Sequence, residues 1–268
     1  MISMSIPYEV LVSWSKPGKN EVSKQTYGIL SDIITKNVDV SKIRLQGSYG
    51  NSTNVKDNSD IDILAMCRGF SIDNSRMYPI RDLKYHVYRS INGKEGYIFS
   101  IGSKTIKYRG GTNRVPADIV PCVECRVGRE EAIALYDEKR NKIIYNYPMQ
   151  HIENGESKSG FTDGNFKKAV RMFKNARNKL VDMGRIQESV APSYFVECYV
   201  YNAPNDLFKG NEEDVFFKVI SWMCNDQNTY LKCQNGIDYL YGTDSTQWSV
   251  ANKTIFLNGL IDLWNKWR

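Results

Sequence analysis

No apolar run in this 268-residue sequence is long enough to cross a bilayer. The opening Met1-Ile2-Ser3-Met4 has no basic flank and no apolar core behind it, so a secretory signal is not expected and the chain reads as cytoplasmic. Cysteine is sparse and scattered, at 67, 122, 125, 198, 224 and 233, which in a reducing compartment means free thiols. Cys122-Val123-Glu124-Cys125 is a lone CxxC with no second pair and no nearby histidine, and structural zinc is not expected from it. Internal repeats and low-complexity tracts are missing too, so the chain is an ordinary globular one, long enough for one large domain or two lobes. Acidic residues are outnumbered, 30 against 36 Lys and Arg, and the resulting +6 charge favours nucleotides or nucleic acid as partners, although a solvated surface carries such a surplus as well.

What is present is concentrated in two short stretches. Leu45-Gln46-Gly47-Ser48-Tyr49-Gly50-Asn51-Ser52-Thr53 closes an apolar run with a Gly-Ser pair. Glycine lets the backbone turn sharply, so N–H groups and the Ser48 hydroxyl can come close to phosphate oxygens. Ser59-Asp60-Ile61-Asp62-Ile63-Leu64 then alternates polar and apolar. Side chains two apart on a strand share a face, which projects Asp60 and Asp62 together. Two carboxylates that close are not both ionised cheaply without a cation between them, and beside phosphates the fitting cation is Mg²⁺, a hard ion that prefers oxygen ligands. A third acid lies in Val115-Pro116-Ala117-Asp118-Ile119-Val120, an otherwise apolar strand. A lone carboxylate there must reach solvent or join a charged site, and with Asp60 and Asp62 nearby the second reading is the better one. Pro116 implies a strand entry or an edge.

Around these stretches the apolar spacing predicts a helix over 20–36 capped by Asn20, and strands over 42–46 and 60–67 flanking a polar loop from Ser48 to Ser59. Residues 70–89 show no clear period. Short strands are expected over 97–101 and 105–108, and a hairpin of 132–136 with 142–146. Arg109–Arg114 is a Gly-rich basic loop whose arginines could touch phosphate or simply lie in a solvated turn. The span 149–164 carries Gly, Ser, Asn and Lys without periodicity, as would a connection between lobes or an ordered loop over the site. Beyond it, Phe166, Ala169, Val170, Phe173, Ala176 and Leu180 mark one face of a helix capped by Thr162 or Asp163 and ended at Gly184. Lysines and arginines fill its other faces. Further helices are expected over 212–226, 229–239 and 246–267, packing an all-helical lobe.

In order and spacing, Gly47-Ser48 and Asp60-Ile61-Asp62 resemble the signature of the polymerase-β-like nucleotidyltransferases, and more narrowly of the bacterial cGAS/DncV-like enzymes, the CD-NTases. Val170-Arg171-Met172-Phe173-Lys174-Asn175-Ala176-Arg177, followed by Pro192-Ser193-Tyr194-Phe195-Val196-Glu197, is similar to that family's second lobe. The resemblance implies an α+β fold: a mixed-sheet nucleotidyltransferase core with flanking helices in residues 1–160, a helical nucleotide-binding lobe in residues 161–268, and the active site in the cleft between. It implies that Asp60, Asp62 and Asp118 bind two Mg²⁺ ions, for which Mn²⁺ can substitute. Gly47 and Ser48, with Lys174 and Ser193, would hold the phosphates of an NTP, and Tyr194 would stack on a base. The implied reaction joins NTPs into a cyclic oligonucleotide messenger that activates an effector in antiphage defence. Linear oligonucleotide synthesis and nucleotidyl transfer to a drug, tRNA or protein stay open as alternatives, as does a non-catalytic nucleic-acid-binding or antitoxin-like module. The basic excess and the many cations on the 166–179 helix further suggest an activating RNA.

Overall fold

The computed structural model describes residues 5–18, 21–56, 60–73, 77–244 and 246–267. The fold is α+β. The chain opens with helices α1 (Tyr8–Ser15) and α2 (Glu21–Asn37), enters strand β1 (Val40–Gln46) and a single helical turn, α3 (Gly47–Gly50), and returns on β2 (Ile61–Cys67). Two short strands, β3 (Phe70–Ser71) and β4 (Tyr78–Pro79), precede α4 (Ile80–Ile91). Then come β5 (Phe99–Ile101), β6 (Ile106–Tyr108), β7 (Ala117–Val127), β8 (Glu130–Asp137) and β9 (Lys142–Asn146). The rest is helical: α5 (Pro148–Phe161), α6 (Asn165–Asp182), α7 (Ser193–Asn202), α8 (Glu212–Asn225) and α9 (Val250–Asn265).

These elements gather into two compact units. The first comprises Gly18–Asn51 and Lys56–Met149, and the second Met1–Pro17, Ser52–Val55 and Gln150–Arg268. The division expected between 160 and 161 therefore falls at 149/150, and residues 5–17 belong with the helical unit. The physical reason lies in α5, where the sequence shows no period. That helix buries His151, Gly155 and Lys158, with Thr162 just beyond, at helical spacing but without an apolar stripe. Lys158 Nζ donates to Ala203 O at 2.7 Å and Asn205 Oδ1 at 2.8 Å, and Gln234 Nε2 donates to His151 O at 2.8 Å.

In the first unit the strand order is β1-β2-β7-β6-β5, with β8 and β9 continuing from the far half of β7. β2 and β7 run parallel; β1 with β2 and β6 with β7 are antiparallel. Alternation sorts the two faces. Leu45, Ile63, Ile119 and Ile106 lie in one transverse row on the face packed into a core with Leu30, Ile33, Ile34, Leu83, Val87 and Ile91 of α2 and α4. The row beside it, on the opposite face, is Gln46, Asp62, Asp118 and Lys107. β7 is a central strand, so Pro116 marks its entry. Pro121 sits in its middle, after the last pair with β6 at Ile119 and before the first with β8 at Val123, where no partner strand requires its N–H.

In the second unit α6 presents Phe166, Ala169, Val170, Phe173, Ala176 and Leu180 to a core shared with α1, α7, α8 and α9. It is entered through Gly164, with Thr162 Oγ1 accepting from Phe166 N at 3.1 Å, and it ends at Gly184 (φ 67). Residues 229–239 are not helical. Asn235 Oδ1 accepts from Ile237 N and Asp238 N, Gly236 takes φ 73, and Lys232 bridges Tyr239, a local turn that outcompetes helix. The last helix starts at Val250, where Ser249 Oγ accepts from Asn252 N at 3.1 Å. Asn20, expected to cap α2, lies outside the described residues, as do 57–59 of the polar loop.

Candidate active site

β1 delivers Gln46 and then turns. Gly47 takes φ 62 and opens the one-turn helix α3, whose Tyr49 hydroxyl accepts from Ser23 Oγ at 2.8 Å and ties the turn to α2. Ser48 is half-buried in that turn. A methyl group added at Gly47 would overlap Asp62 Oδ2, so the turn and the acid occupy one site and only glycine fits between them. Gly47→Ala is therefore expected to combine left-handed strain of roughly 1–2 kcal/mol with displacement of the Asp62 carboxylate. It should lower the melting temperature and cut product formation by about tenfold or more; wild-type values for both would refute the close approach.

Asp62 and Asp118 are register partners on parallel strands, and Asp60 precedes β2 in an exposed position. Burial, reinforced by the charges of Asp118 and Asp60, pushes the Asp62 carboxyl up from 3.8 to about 6. Beside them Gln46 keeps a buried Oε1 without a donor among the described residues. A buried carboxyl whose proton affinity is raised, flanked by two further acids and an unused acceptor, belongs to an oxygen-only donor set suited to a hard divalent cation. Among the described residues no three acid, cysteine or histidine side chains are already drawn together as a metal cage.

In the helical unit, Lys174 is 4% exposed. Its ammonium donates to Glu197 Oε2 at 2.5 Å and to Thr53 Oγ1 at 2.9 Å. His151 Nε2 lies 3.3 Å from Glu197 Oε1, and its ring stacks on Tyr194 at 5.4 Å and 24°. Burial alone would raise the Glu197 carboxyl, but Lys174 and His151 outweigh it and hold the group well below the usual carboxylate range. Tyr194 is 43% exposed although its hydroxyl is buried against Cys198 and Cys233. Ser193 is the first residue of α7 and half-buried.

A family model described as the cGAS/DncV-like nucleotidyltransferase C-terminal helical domain matches residues 153–265. A cyclic UMP-AMP synthase of Rhodothermus marinus (strain SG0.5JP17-172) is 32% identical over 289 residues, 98% of this chain and 99% of the relative. The chain belongs to the cGAS/DncV-like nucleotidyltransferases. The structure of Rhodothermus marinus CdnE c-UMP-AMP synthase with Apcpp and Upnpp matches it with a TM-score of 0.85 at 32% identity, over 98% of this chain and 97% of that one. The structure of Elizabethkingia meningoseptica CdnE cyclic dinucleotide synthase with GTP and Apcpp gives 0.80 at 28% identity, over 97% and 98%.

As a CD-NTase, the protein is a nucleotidyltransferase, and its expected site residues fall into two groups. Gly47, Ser48, Asp60, Asp62 and Asp118 gather on the sheet unit, whereas Lys174, Ser193 and Tyr194 sit in the helical unit, the first inside a buried ion pair. Thr53, His151 and Glu197, which surround Lys174 and Tyr194, were not singled out from sequence. The cations of α6 that suggested RNA are engaged within the protein. Arg171 donates to Ser15 O and Ser52 O, Arg177 to Ala191 O and Glu188, Lys167 pairs with Glu156, Lys168 lies 3.9 Å from Glu212, and Lys179 sits over Trp267. No helix among the described residues is long and apolar enough to span a membrane.

Proposed function

We propose that this CD-NTase joins two NTPs into a cyclic dinucleotide, as its cyclic UMP-AMP synthase relative does by name, and that the product is a messenger in antiphage defence inside the cytoplasm, where NTPs are supplied. The observation that carries the reading is the pairing of Asp62 with Asp118 across parallel strands, with Asp60 beside them and the Gly47-Ser48 turn pressed against Asp62. In each transfer a 2′- or 3′-hydroxyl oxygen forms a bond to the α-phosphorus of an NTP while the bond to pyrophosphate breaks; a second transfer closes the ring. Asp60 and Asp62 would hold divalent cations, Mg²⁺ or Mn²⁺, with Asp118 on the side of the attacking hydroxyl. Those ions supply charge neutralisation and a lowered hydroxyl pKa. Asp118 then takes the hydroxyl proton, and the Gly47-Ser48 turn offers N–H and O–H donors to phosphate.

Ser193 and Lys174 are proposed to contact the triphosphate and Tyr194 to stack on its base, a role supported by a ring that is accessible while its hydroxyl is anchored. Tyr194→Ala should weaken NTP binding by roughly 1–3 kcal/mol with little change in melting temperature. Equal affinity in the variant would return Tyr194 to a packing role.

The deciding experiment incubates purified protein with all four labelled NTPs and Mg²⁺ or Mn²⁺, with and without structured RNA, and resolves products by chromatography and mass spectrometry. A cyclic dinucleotide with released pyrophosphate is expected. Linear products, or transfer only to an added acceptor, would select the alternatives, and no pyrophosphate release under any condition would favour a binding module. Because α6 offers few unengaged cations, stimulation by RNA would have to come from another face.

A further inference from the structure

An aromatic ring binds a base best when it is already held in place, because ordering a loose side chain detracts from affinity. Tyr194 is so held. The His151 ring stacks on it with centroids 5.4 Å apart and planes 24° apart. The tyrosine hydroxyl is buried against Cys198 and Cys233, and Phe195 meets the ring in a T-shape at 5.5 Å. What stays exposed of Tyr194 is therefore the face opposite His151.

His151 is buried, yet its ring serves little in its own helix. Nε2 lies 3.3 Å from Glu197 Oε1, while the buried Nδ1 has no partner among the described residues. Glu197 is held as a carboxylate, so Nε2 carries the proton and donates. Only that carboxylate and the Tyr194 face then fix how the imidazole turns. The backbone behind it is pinned as well. Gln234 Nε2 donates to His151 O at 2.8 Å, Gln234 N to Cys198 Sγ at 3.3 Å, and Asn154 Nδ2 to Gln234 O at 2.9 Å. Gly155, one turn after His151, leaves the room that Gln234 occupies, since a methyl group there would overlap its side-chain amide. These contacts tie the start of α5 to α7.

We propose that His151 is a positioning residue for base binding: its ring is the fixed underside of the Tyr194 platform, oriented by the same carboxylate that holds Lys174. The inference rests on the reading of Tyr194 as the base-stacking ring. Packing alone does not account for an imidazole here, because a buried Nδ1 without a partner forgoes hydrogen bonding that a phenyl or leucine side chain would not forgo. A flat ring stacked under a flat ring, and turned to the right angle by a hydrogen bond, does account for it.

The test combines calorimetric titration of the full chain, using non-hydrolysable analogues of all four NTPs with Mg²⁺, with thermal unfolding of the same variants. His151→Gln keeps a donor for Glu197 and loses the ring. It should hold the wild-type melting temperature yet bind every analogue that wild type binds about tenfold more weakly, within the range of one lost base stack. His151→Phe keeps a ring and loses the donor. It should melt lower yet bind within about threefold of wild type, since a phenyl ring also stacks. His151→Gln with Tyr194→Ala should be no weaker than Tyr194→Ala alone, because the two rings act as one unit. Affinity that follows the melting temperature through both variants, or losses that multiply in the double variant, would reduce His151 to packing. A changed ranking of the four analogues would overturn the proposal differently, by making His151 a reader of base edges. Full affinity in Tyr194→Ala, or no binding by wild type, would sink the base-stacking reading itself. Wild-type binding in His151→Gln beside a weakened Tyr194→Ala would sink only the support.

Discussion

Asp62→Asn is expected to abolish turnover and, in metal-free protein near neutral pH, to make the fold more stable. The amide is close to isosteric but cannot carry the charge that holds the cations. Metal ions supply several kcal/mol of transition-state stabilisation, and each 1.36 kcal/mol is tenfold, so a loss of about a thousandfold or more is expected. The gain in stability follows from the Asp62 carboxyl, which burial and its acidic neighbours raise from 3.8 to about 6. The folded chain prefers the protonated form, so this group's contribution is fully present below pH 3.8 and is lost as pH rises through about 6. At pH 7–8 the ionised group costs up to roughly 3 kcal/mol, a penalty the asparagine does not carry. Thermal unfolding of metal-free protein between pH 4 and 8 should show wild type falling and Asp62→Asn staying flatter, and added Mg²⁺ or Mn²⁺ should restore wild type alone. A variant less stable than wild type at pH 8, or one retaining a tenth of its activity, contradicts the shared-acid site.

Lys174→Met is expected to cost stability first and ligand binding second, the reverse of what the sequence suggests. On sequence alone Lys174 lies beside an apolar stripe with a ligand as its partner. In the structure its ammonium is buried against Glu197 and Thr53, and removing one member of such a pair costs roughly 3–5 kcal/mol because the other charge is left uncompensated. Glu197→Leu should cost a similar amount, and the double variant Lys174→Met with Glu197→Leu should recover much of it. The Glu197 carboxyl is held low, so its contribution is present above the unfolded value of 4.5 and is lost on acidification below it. Urea unfolding at pH 7 and pH 4 measures both effects. NTP titration of the double variant then separates the roles: weak binding in a stable protein marks Lys174 as a phosphate ligand, and wild-type binding confines it to the fold.

The parts of the fold that were legible in the sequence are those in which burial is apolar and periodic. α2, the paired strands β1 and β2, the β8–β9 hairpin, α6 and α8 all follow from such spacing, whereas the spacing argument put Asp60 on one strand face with Asp62, and the structure has Asp60 before β2 and Asp118 as the register partner of Asp62. α5 was illegible because the stripe it buries is His151, Gly155 and Lys158. α4 did carry a signal, Ile80, Leu83, Val87 and Ile91, obscured by the buried Lys84 and by Tyr85, His86 and Tyr88 between them. Glu197 was also within reach. It is a lone carboxylate in Phe195-Val196-Glu197-Cys198-Tyr199, and the rule that sent Asp118 to a charged site, that an acid in an apolar run needs a partner, predicts a buried cation for it too. The cation's identity was not legible, since Lys174 lies 23 residues away on another helix.

The membership of α1 in the helical unit sets a timetable for making the protein. Leu11 is buried in the core that Phe166, Phe173 and Leu263 complete, Ser15 O waits for Arg171, 156 residues later, and Trp14 meets the Trp267 ring. At 5–20 residues per second, the first helix is made roughly 13–50 s before Leu263 and Trp267, which complete the surface that covers it. The sheet unit's sequence, by contrast, is complete at Met149. The nascent chain therefore carries all three acids long before it has a finished helical unit, with an exposed amphipathic N-terminal segment as the mark of an unfinished molecule.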